Sequence, residues 1–273
     1  MISRLAKFAF LAIGTGMILA GPAHAAQCGN TGAGFEVWKR QFAAEAKANG
    51  IGTRGLKALA GTSYSTRTIA ADRGQKSFKY SLDKFMKVRG ANAIVSQGRR
   101  KKAANAKFFA RLERAYGVPA GPLLAIHGME TGFGRFMGNA NTMSAIATLA
   151  YDCRRTEFFT GHLYAALDLV DRGIITSKTV GAMHGEIGHT QFLPGSVMRY
   201  GVDGDGNGRI DLAGSQWDAL ASTANFLRAH GWRRGAGYQP GQPNFAAIQG
   251  WNAASVYQQA IAIMAAQIDG QAG

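Results

Sequence analysis

Apolar residues in this chain recur every three or four positions, and this spacing limits the available folds more than any other feature. Three segments show it: Phe35, Trp38 and Phe42; Phe78, Leu82, Phe85 and Met86; and Phe108, Leu112 and Tyr116. Such spacing puts side chains on one face of an α-helix. Alternation with period two, typical of a half-buried strand, is almost absent. We therefore predict a mainly α fold with little sheet.

The same spacing predicts helices over 156–170, 217–230 and 255–268. Gly231 is placed to cap the second of these at its C-terminus. The segment 234–244 is rich in glycine and contains proline. We predict that it forms a mobile loop between the last two helices, and loops of this kind often border active sites.

The first 25 residues are typical of a secretory signal peptide. Arg4 and Lys7 precede an apolar stretch over 8–20, and the small residues Ala23 and Ala25 follow. The apolar stretch is shorter than the roughly 20 residues that a membrane span needs. We predict cleavage after about Ala25 and export of residues 26–273.

Positive charge is concentrated in the first half of the exported part. The formal net charge is +15, and residues 35–117 hold 19 Lys or Arg against 5 Asp or Glu, including the run 99–102. A basic face attracts polyanions, which for an exported protein means cell wall, anionic lipid or extracellular nucleic acid. A solvated face that only aids solubility is the alternative. Specific nucleic-acid binding is disfavoured, since the aromatic residues follow core spacing.

Two cysteines, Cys28 and Cys153, leave room for one disulfide at most. An oxidising compartment permits that disulfide, and two free thiols are the alternative. A lipid anchor on Cys28 is disfavoured, because Gln27 stands where a small residue is expected.

One carboxylate lies at the end of a very apolar helical run. Pro119 and Pro122 can begin this helix, and Gly132 can end it, which puts Glu130 in the last turn. Burial and the carbonyl-rich helix end should both raise the Glu130 pKa towards the range of a general acid. The alternative is a structural Glu that accepts hydrogen bonds from the following loop.

The segment 203–211 has oxygen-bearing side chains at its first, third, fifth and ninth positions, with glycines between them. A Ca²⁺ loop requires this arrangement, in which the sixth position turns sharply and the seventh supplies a backbone carbonyl. The twelfth position, which is usually acidic, is Gly214, and Asp218 a few residues later can close the loop only if the exit from it is longer. A turn held only by local hydrogen bonds is the alternative.

Six motifs occur in the order and spacing of one known family, from about Phe35 to Ile268. They are Met129–Arg135, Ala147–Tyr151, Arg154-Arg155, Thr190–Pro194, the Asp/Gly loop and Ala229–Trp232. With them the chain resembles the membrane-bound lytic murein transglycosylase B family. The resemblance implies an α+β lysozyme-like fold with an EF-hand-like loop. It also implies that residues 26–273 form one periplasmic domain, whose basic portion 35–117 packs on a catalytic core, 118–270.

The family cleaves the β-1,4 bond between N-acetylmuramic acid and N-acetylglucosamine and leaves a 1,6-anhydro sugar. Such a reaction needs one acid that later acts as a base, whereas most glycosidases need two carboxylates. The resemblance implies that Glu130 is this group. No cofactor is expected for catalysis, and the expected partners are peptidoglycan glycan strands and cell-wall protein complexes, with the enzyme itself a monomer.

The resemblance also assigns substrate-binding and metal-binding residues. Gln191 would line the cleft, Arg154 and Arg155 would bind substrate carboxylates, and Trp251, Asn252 and Tyr257 would contact sugars. Packing of Trp251 and Tyr257 against the final helix is the alternative. For structural Ca²⁺ the implied ligands are Asp203, Asp205, Asn207, the backbone of Arg209, and Asp218.

The chain departs from the family in one place. Where the family usually carries Ala-Gly-Ala-Met-Gly before the cleft glutamine, this chain has His184 to Gly188, which adds Glu186. Glu186 would allow a lysozyme-like hydrolase if it oriented a water opposite Glu130, or it would order His184, His189 or an arginine. A non-catalytic wall-binding module is the remaining alternative.

Overall fold

The computed structural model describes residues 26–74 and 80–271, so the predicted signal peptide lies outside the described residues. Its α-helices, in chain order, are α1 (Phe35–Ala48), α2 (Thr53–Ala60), α3 (Thr66–Arg73), α4 (Leu82–Arg89), α5 (Ala91–Ala104), α6 (Ala106–Tyr116), α7 (Ala120–Thr131), α8 (Thr142–Tyr151), α9 (Thr156–Asp171), α10 (Pro194–Tyr200), α11 (Gln216–Ala229), α12 (Phe245–Trp251) and α13 (Ser255–Asp269). A short 3₁₀ helix, Gly32–Gly34, precedes α1.

The only sheet in the described part of the chain has two short strands, β1 (Ala140–Asn141) and β2 (Val180–Gly181). They pair antiparallel, with Ala140 opposite Gly181. The predicted mainly α fold with little sheet is thereby confirmed. Across the described ranges, no helix combines the length and apolar character that crossing a membrane requires.

Helices predicted from three-and-four spacing are present with bounds close to those expected, except that Phe78 of the second pattern lies outside the described residues. Gly231 has the left-handed φ of +90° that a C-terminal cap uses. One expectation is wrong. The segment 234–244 does not join the last two helices directly to each other as predicted, because α12 follows it. Asn244 explains the order in this loop: its buried side chain bonds the backbone of Arg233 and Ala236.

The core is built around α7, which packs against α13 on one side and α5 on another. Leu123, Leu124 and Ile126 of α7 have no exposed surface. Helix α8 packs along α9 and is also buried on nearly all sides. A helix buried all round shows no apolar stripe, which is why the spacing did not reveal α8.

The N-terminal segment is tied to the end of α8 by a disulfide. Cys28 and Cys153 are bonded, with their Cα atoms 4.9 Å apart, so the question that the sequence left open is answered in favour of the disulfide. The backbone pairs there as well, since Gly29 N donates to Tyr151 O at 3.0 Å.

Part of the basic run 99–102 is engaged in contacts with another helix of the same chain. Arg99 Nε donates to the carbonyl of Gln267 at 2.8 Å, and Lys102 Nζ binds Asp269 Oδ1 at 2.8 Å. These contacts fasten α5 to the end of α13. The run is therefore not simply a free polyanion-binding face.

Candidate active site

Glu130 lies in the last turn of α7, as the sequence predicts. Gly132 follows with a φ of +58° and its N–H bonds the carbonyl of Gly128, which ends the helix. A side chain with a Cβ adopts this left-handed conformation at a cost of about 1 kcal/mol or more. The buried apolar residues of α7 hold the helix in place, so the backbone of Glu130 is held in place as well.

Two uncharged donors hold the same oxygen of Glu130. Tyr257 donates its hydroxyl to Oε1 at 2.6 Å, and Trp251 donates Nε1 to Oε1 at 2.9 Å. Tyr257 belongs to α13 and Trp251 to the end of α12, so three helices converge on one carboxylate. Because Oε1 accepts both bonds, the proton of the acid form is carried by Oε2.

The environment raises the pKa of Glu130 above its ordinary value, chiefly through burial. Hydrogen bonds from Tyr257 and Trp251 oppose the shift, and the negative charge of Glu186 adds to it. Burial also raises the pKa of Tyr257 far above its ordinary value, so Tyr257 remains a neutral donor. An acid that keeps its proton at higher pH is what protonation of a leaving group requires.

Glu130 opens into a cavity of about 410 Å³ that is also lined by Glu186, Gln191, Trp251 and Asn252. Gln191 occupies a tight turn in which Ile187 and Phe192 exchange backbone hydrogen bonds. Its φ of +56° is unusual for a residue with a side chain, and its Nε2 donates to Gly188 O at 2.7 Å. Such strain clusters at functional sites and is held by the surrounding fold.

A second cavity of about 600 Å³ continues from the first and shares Glu186, Leu193, Trp251 and Asn252 with it. Arg155 and the half-exposed Phe158 line this outer part. Of these two cavities, Glu130 lines the first, and the second gives a polymer room to extend beyond it.

The predicted arginine pair is engaged within the protein. Arg154 and Arg155 both form ion pairs with Asp72, a buried residue of α3, and the Arg155 pair measures 3.0 Å. Arg155 also lies over the ring of Phe159. Arg155 reaches the outer cavity, while the role of either arginine in binding substrate carboxylates stays a prediction.

Glu186 is held by His184. Its Oε2 accepts the backbone N–H of His184 at 3.0 Å, and its Oε1 lies 3.2 Å from His184 Nδ1. His184 Nε2 is in turn 3.9 Å from Asp72 Oδ1. The expectation that Glu186 orders a neighbouring histidine is met by His184.

His189, another residue that the sequence suggested as a partner of Glu186, pairs instead with His127. Nε2 of His127 lies 3.1 Å from Nδ1 of His189, and Thr131 donates to the carbonyl of His189 at 2.7 Å. Burial lowers the pKa of His127 to about 3, so this residue is neutral. The pair fastens the Gln191 turn to the end of α7.

The Asp/Gly loop brings three carboxylates together, those of Asp203, Asp205 and Asp218, with oxygens all within 4.8 Å of one another. Asp203 accepts the N–H groups of Gly206 and Gly208 at 2.6 and 2.7 Å, and backbone bonds of this kind hold its pKa below the ordinary value. Asn207 Oδ1 accepts the N–H of Arg209. An all-oxygen set fits a hard cation such as Ca²⁺, but a twelve-residue EF-hand closed at its last position is not present.

The sequence model of one protein family, the transglycosylase SLT domain, matches residues 34–242. This chain belongs to that family. The match includes Glu130, Gln191 and the Asp/Gly loop, and it ends before Trp251.

Solved structures of this family have the same fold. SltB3 from Pseudomonas aeruginosa, in complex with NAG-anhNAM-pentapeptide, superposes with a TM-score of 0.80 at 30% identity, covering 88% of this chain and 80% of that chain. The Escherichia coli transglycosylase Slt35, in complex with calcium, gives 0.75 at 23% identity over 92% and 98%. The predicted lysozyme-like transglycosylase fold is thereby confirmed.

Among curated proteins, membrane-bound lytic murein transglycosylase B of Escherichia coli is 38% identical over 146 residues. These residues are 49% of this chain and 39% of that protein. The matched region thus spans about two fifths of the relative's length. The resemblance found in the motifs is confirmed at the level of the family.

Sequence reasoning missed two groups of site residues. It gave no role to Asp72, because a single acid in a helix with basic residues matches no sequence motif. It also gave none to the contact between His127 and His189. It also described Trp251 and Tyr257 as sugar contacts or packing residues, whereas both donate to Glu130. Their contacts with sugars stay predictions, as do those of Gln191 and Asn252.

Proposed function

We propose that this protein is a lytic transglycosylase, which cleaves the β-1,4 bond between N-acetylmuramic acid and N-acetylglucosamine and forms a 1,6-anhydro muramic product. The observation that carries the proposal is the setting of Glu130. It is a partly buried carboxylate with a raised pKa, fixed by two neutral donors, and it lines a cavity of about 410 Å³.

In the proposed reaction, Glu130 Oε2 gives its proton to the glycosidic oxygen as the bond from that oxygen to C1 breaks. The substrate's own N-acetyl carbonyl stabilises the positive charge at C1. The Glu130 carboxylate then takes the proton of the C6 hydroxyl, whose oxygen closes on C1. No water is consumed, and Glu130 regains its proton at the end of the cycle.

The remaining cleft residues would position the glycan strand. The face of Trp251 would stack on a sugar ring, while Gln191 and Asn252 would hydrogen-bond hydroxyl or acetamido groups. Arg155 in the outer cavity is suited to a lactyl or peptide carboxylate. Tyr257, which is nearly fully buried, would act through Glu130 in addition to any contact with sugar.

Mass spectrometry of the muropeptides that residues 26–273 release from purified sacculi tests the proposal, with Glu130→Gln alongside. We expect products one water lighter than reducing-end muropeptides, absent in the variant. Glu157→Gln is the matched control, since Glu157 is exposed on the first turn of α9 and its loss should change nothing.

Two other outcomes would contradict the proposal in different ways. Reducing-end products that also disappear in Glu186→Gln would establish the hydrolase, with Glu130 and Glu186 as its carboxylate pair. Sacculus binding without any products, equal in wild type and Glu130→Gln, would establish the wall-binding module.

We further propose that the protein acts in the periplasm as a monomer on glycan strands. Its signal-like N-terminus and disulfide support export, and the relative named membrane-bound supports work at the envelope. Association with cell-wall protein complexes is part of the same proposal. Fractionation of cells and light scattering of the purified protein are the tests.

We also propose that the Asp/Gly loop binds Ca²⁺ structurally, through Asp203, Asp205, Asn207, the Arg209 carbonyl and Asp218. The clustered carboxylates support this, and Slt35 was solved with calcium. Added Ca²⁺ should raise the melting temperature, and Asp205→Asn should abolish the increase. An equal increase in that variant would contradict the proposal, while Mg²⁺ distinguishes Ca²⁺ preference from a general cation effect.

A further inference from the structure

Glu186 is the charged residue of the cleft to which the proposed reaction gives no task. Its side chain is 24% exposed, and it lines the same cavity as Glu130. The carboxylate is near enough for its charge to act on Glu130.

The Glu186 carboxylate is immobilised from one side. His184 holds one oxygen through its backbone N–H and lies against the other with Nδ1. Behind His184 lies Asp72, which is fixed by the ion pairs of Arg154 and Arg155. Each carboxylate oxygen has a second lone pair, so an acceptor site remains for the cavity.

The backbone at this position is equally fixed. Ala182 N donates to the carbonyl of Glu186 at 3.0 Å, and Gly185 turns with a φ of +88°. An added Cβ on Gly181 would lie 1.9 Å from the Glu186 carbonyl oxygen, so the chain segments touch. Glu186 is therefore a preorganised anionic acceptor beside the catalytic acid, as electrostatic catalysis requires.

Resting on the proposed function, we propose that Glu186 accepts a hydrogen bond from the acetamido N–H of the N-acetylmuramic acid whose C1 is attacked. As the acetamido oxygen approaches C1, positive charge spreads onto the nitrogen and its N–H becomes a stronger donor. A fixed carboxylate then binds the transition state more strongly than the ground state. A sugar hydroxyl would gain no comparable charge.

Under this proposal Glu186 transfers no proton and does not activate a water molecule. It orients the acetamido group so that its oxygen faces C1, and it stabilises the cation that forms. Substrate assistance of this kind replaces the second carboxylate in some glycosidase families. Here the Glu186 carboxylate would make the substrate's acetamido group a better stabiliser of the positive charge at C1 than it is without that hydrogen bond.

The test compares turnover of sacculi by wild type, Glu186→Gln and Glu186→Ala, with Glu157→Gln as the matched loss of one negative charge. Removal of a preorganised group at developing charge costs about 100-fold or more in kcat, and we expect this for Glu186→Ala with KM changed little. Glu186→Gln keeps a neutral acceptor, so we expect a loss of about tenfold. All remaining products should be anhydro sugars.

Binding of N-acetylglucosamine-thiazoline, a stable mimic of the cyclised acetamido group, provides a readout independent of turnover. Its affinity should fall in Glu186→Ala in step with kcat, while Glu157→Gln binds as wild type does. Circular dichroism and melting temperature establish that each variant is folded, and Glu186→Gln serves if the alanine variant is not.

Unchanged kcat and unchanged thiazoline affinity in Glu186→Ala would overturn the inference and leave the proposed function intact. Weaker binding of whole strands with unchanged kcat would also overturn it, because Glu186 would then only contact the ground state. If wild type makes no anhydro products, the proposed function itself fails, and reducing-end products would make Glu186 a base for water.

Discussion

Two groups of carboxylates in this molecule are held in opposite ways. Glu130 is partly buried, is bonded by two neutral side chains and has a raised pKa. Asp203 is exposed in a glycine-rich loop, accepts several backbone N–H groups and has a lowered pKa. The same functional group is thus prepared to keep a proton in one place and to remain an anion in the other.

The difference shows how the two effects on a carboxylate compete. Removal of water disfavours the charged form, while hydrogen bonds to it favour it. At Glu130 burial exceeds the effect of two donors, whereas at Asp203 three backbone amides exceed a small loss of water. Burial suits an acid catalyst, and a ring of amides suits a ligand or a turn.

Substitution of the carboxylates at the two sites should affect enzymatic activity very differently. Glu130→Gln removes the proton donor, and loss of general acid–base catalysis costs about 10²- to 10⁴-fold. Asp203→Asn should leave turnover of sacculi at saturating substrate unchanged. Comparable losses in both variants would contradict the separation of the two sites.

The free energy of unfolding should depend strongly on a carboxylate of the Asp/Gly loop. Asp218 is fully buried and accepts the N–H groups of Gly204, Asp205 and Asp211. Asp218→Asn replaces one of the two acceptor oxygens by an NH2 group, so at least one of these N–H donors loses its acceptor, and we expect a loss of about 1–3 kcal/mol in the free energy of unfolding. Urea titration without added cation measures it.

The matched control for that variant is Asp168→Asn on α9, whose surface pair with Arg172 should contribute less than about 1 kcal/mol. Equal destabilisation by both substitutions would mean that the buried amide network does not hold the loop.

The Tyr257 hydroxyl influences the pKa of Glu130. Its hydrogen bond favours the ionised carboxylate, so Tyr257→Phe raises the Glu130 pKa further. Turnover needs the protonated acid and falls as pH rises through that pKa, so the alkaline limb should move to higher pH. We also expect kcat to fall by about tenfold through looser positioning.

Tyr238→Phe is the control for this experiment, since Tyr238 donates its hydroxyl to Asp269 rather than to Glu130. Its pH profile should match that of wild type. A profile that moves to lower pH in Tyr257→Phe would show that the hydrogen bond acts with the opposite sign.

The smallest effect concerns the dependence of stability on pH. The folded Glu130 pKa lies above the ordinary value near 4.5, so the native state binds more protons than the unfolded state as pH rises past that value. Wild type therefore loses stability over this range, while Glu130→Gln lacks this contribution. Denaturant titrations of both proteins at about pH 4 and pH 8 should show the variant gaining on wild type at the higher value.

Much of the fold was predictable from local patterns. Amphipathic helices such as α1, α6 and α11 follow from side-chain spacing, and the position of Glu130 follows from flanking prolines and glycines. Helix α8 was not predictable in this way, because it is buried on nearly all sides. Helix α12 was also missed, because a segment of seven residues makes too few turns for its apolar spacing to be recognised.

Local patterns in the sequence were enough for the helical class, the place of Glu130 at the end of α7 and the acidic loop, because spacing, caps and alternating oxygen ligands are local properties. The partners of these side chains follow from the packed fold: Tyr257 and Trp251 on Glu130, Asp72 between two arginines, His184 on Glu186, and Cys28 with Cys153. These residues are far apart in sequence or lie on different elements. Packing of helices fixes such contacts, and no local pattern encodes which side chains will meet.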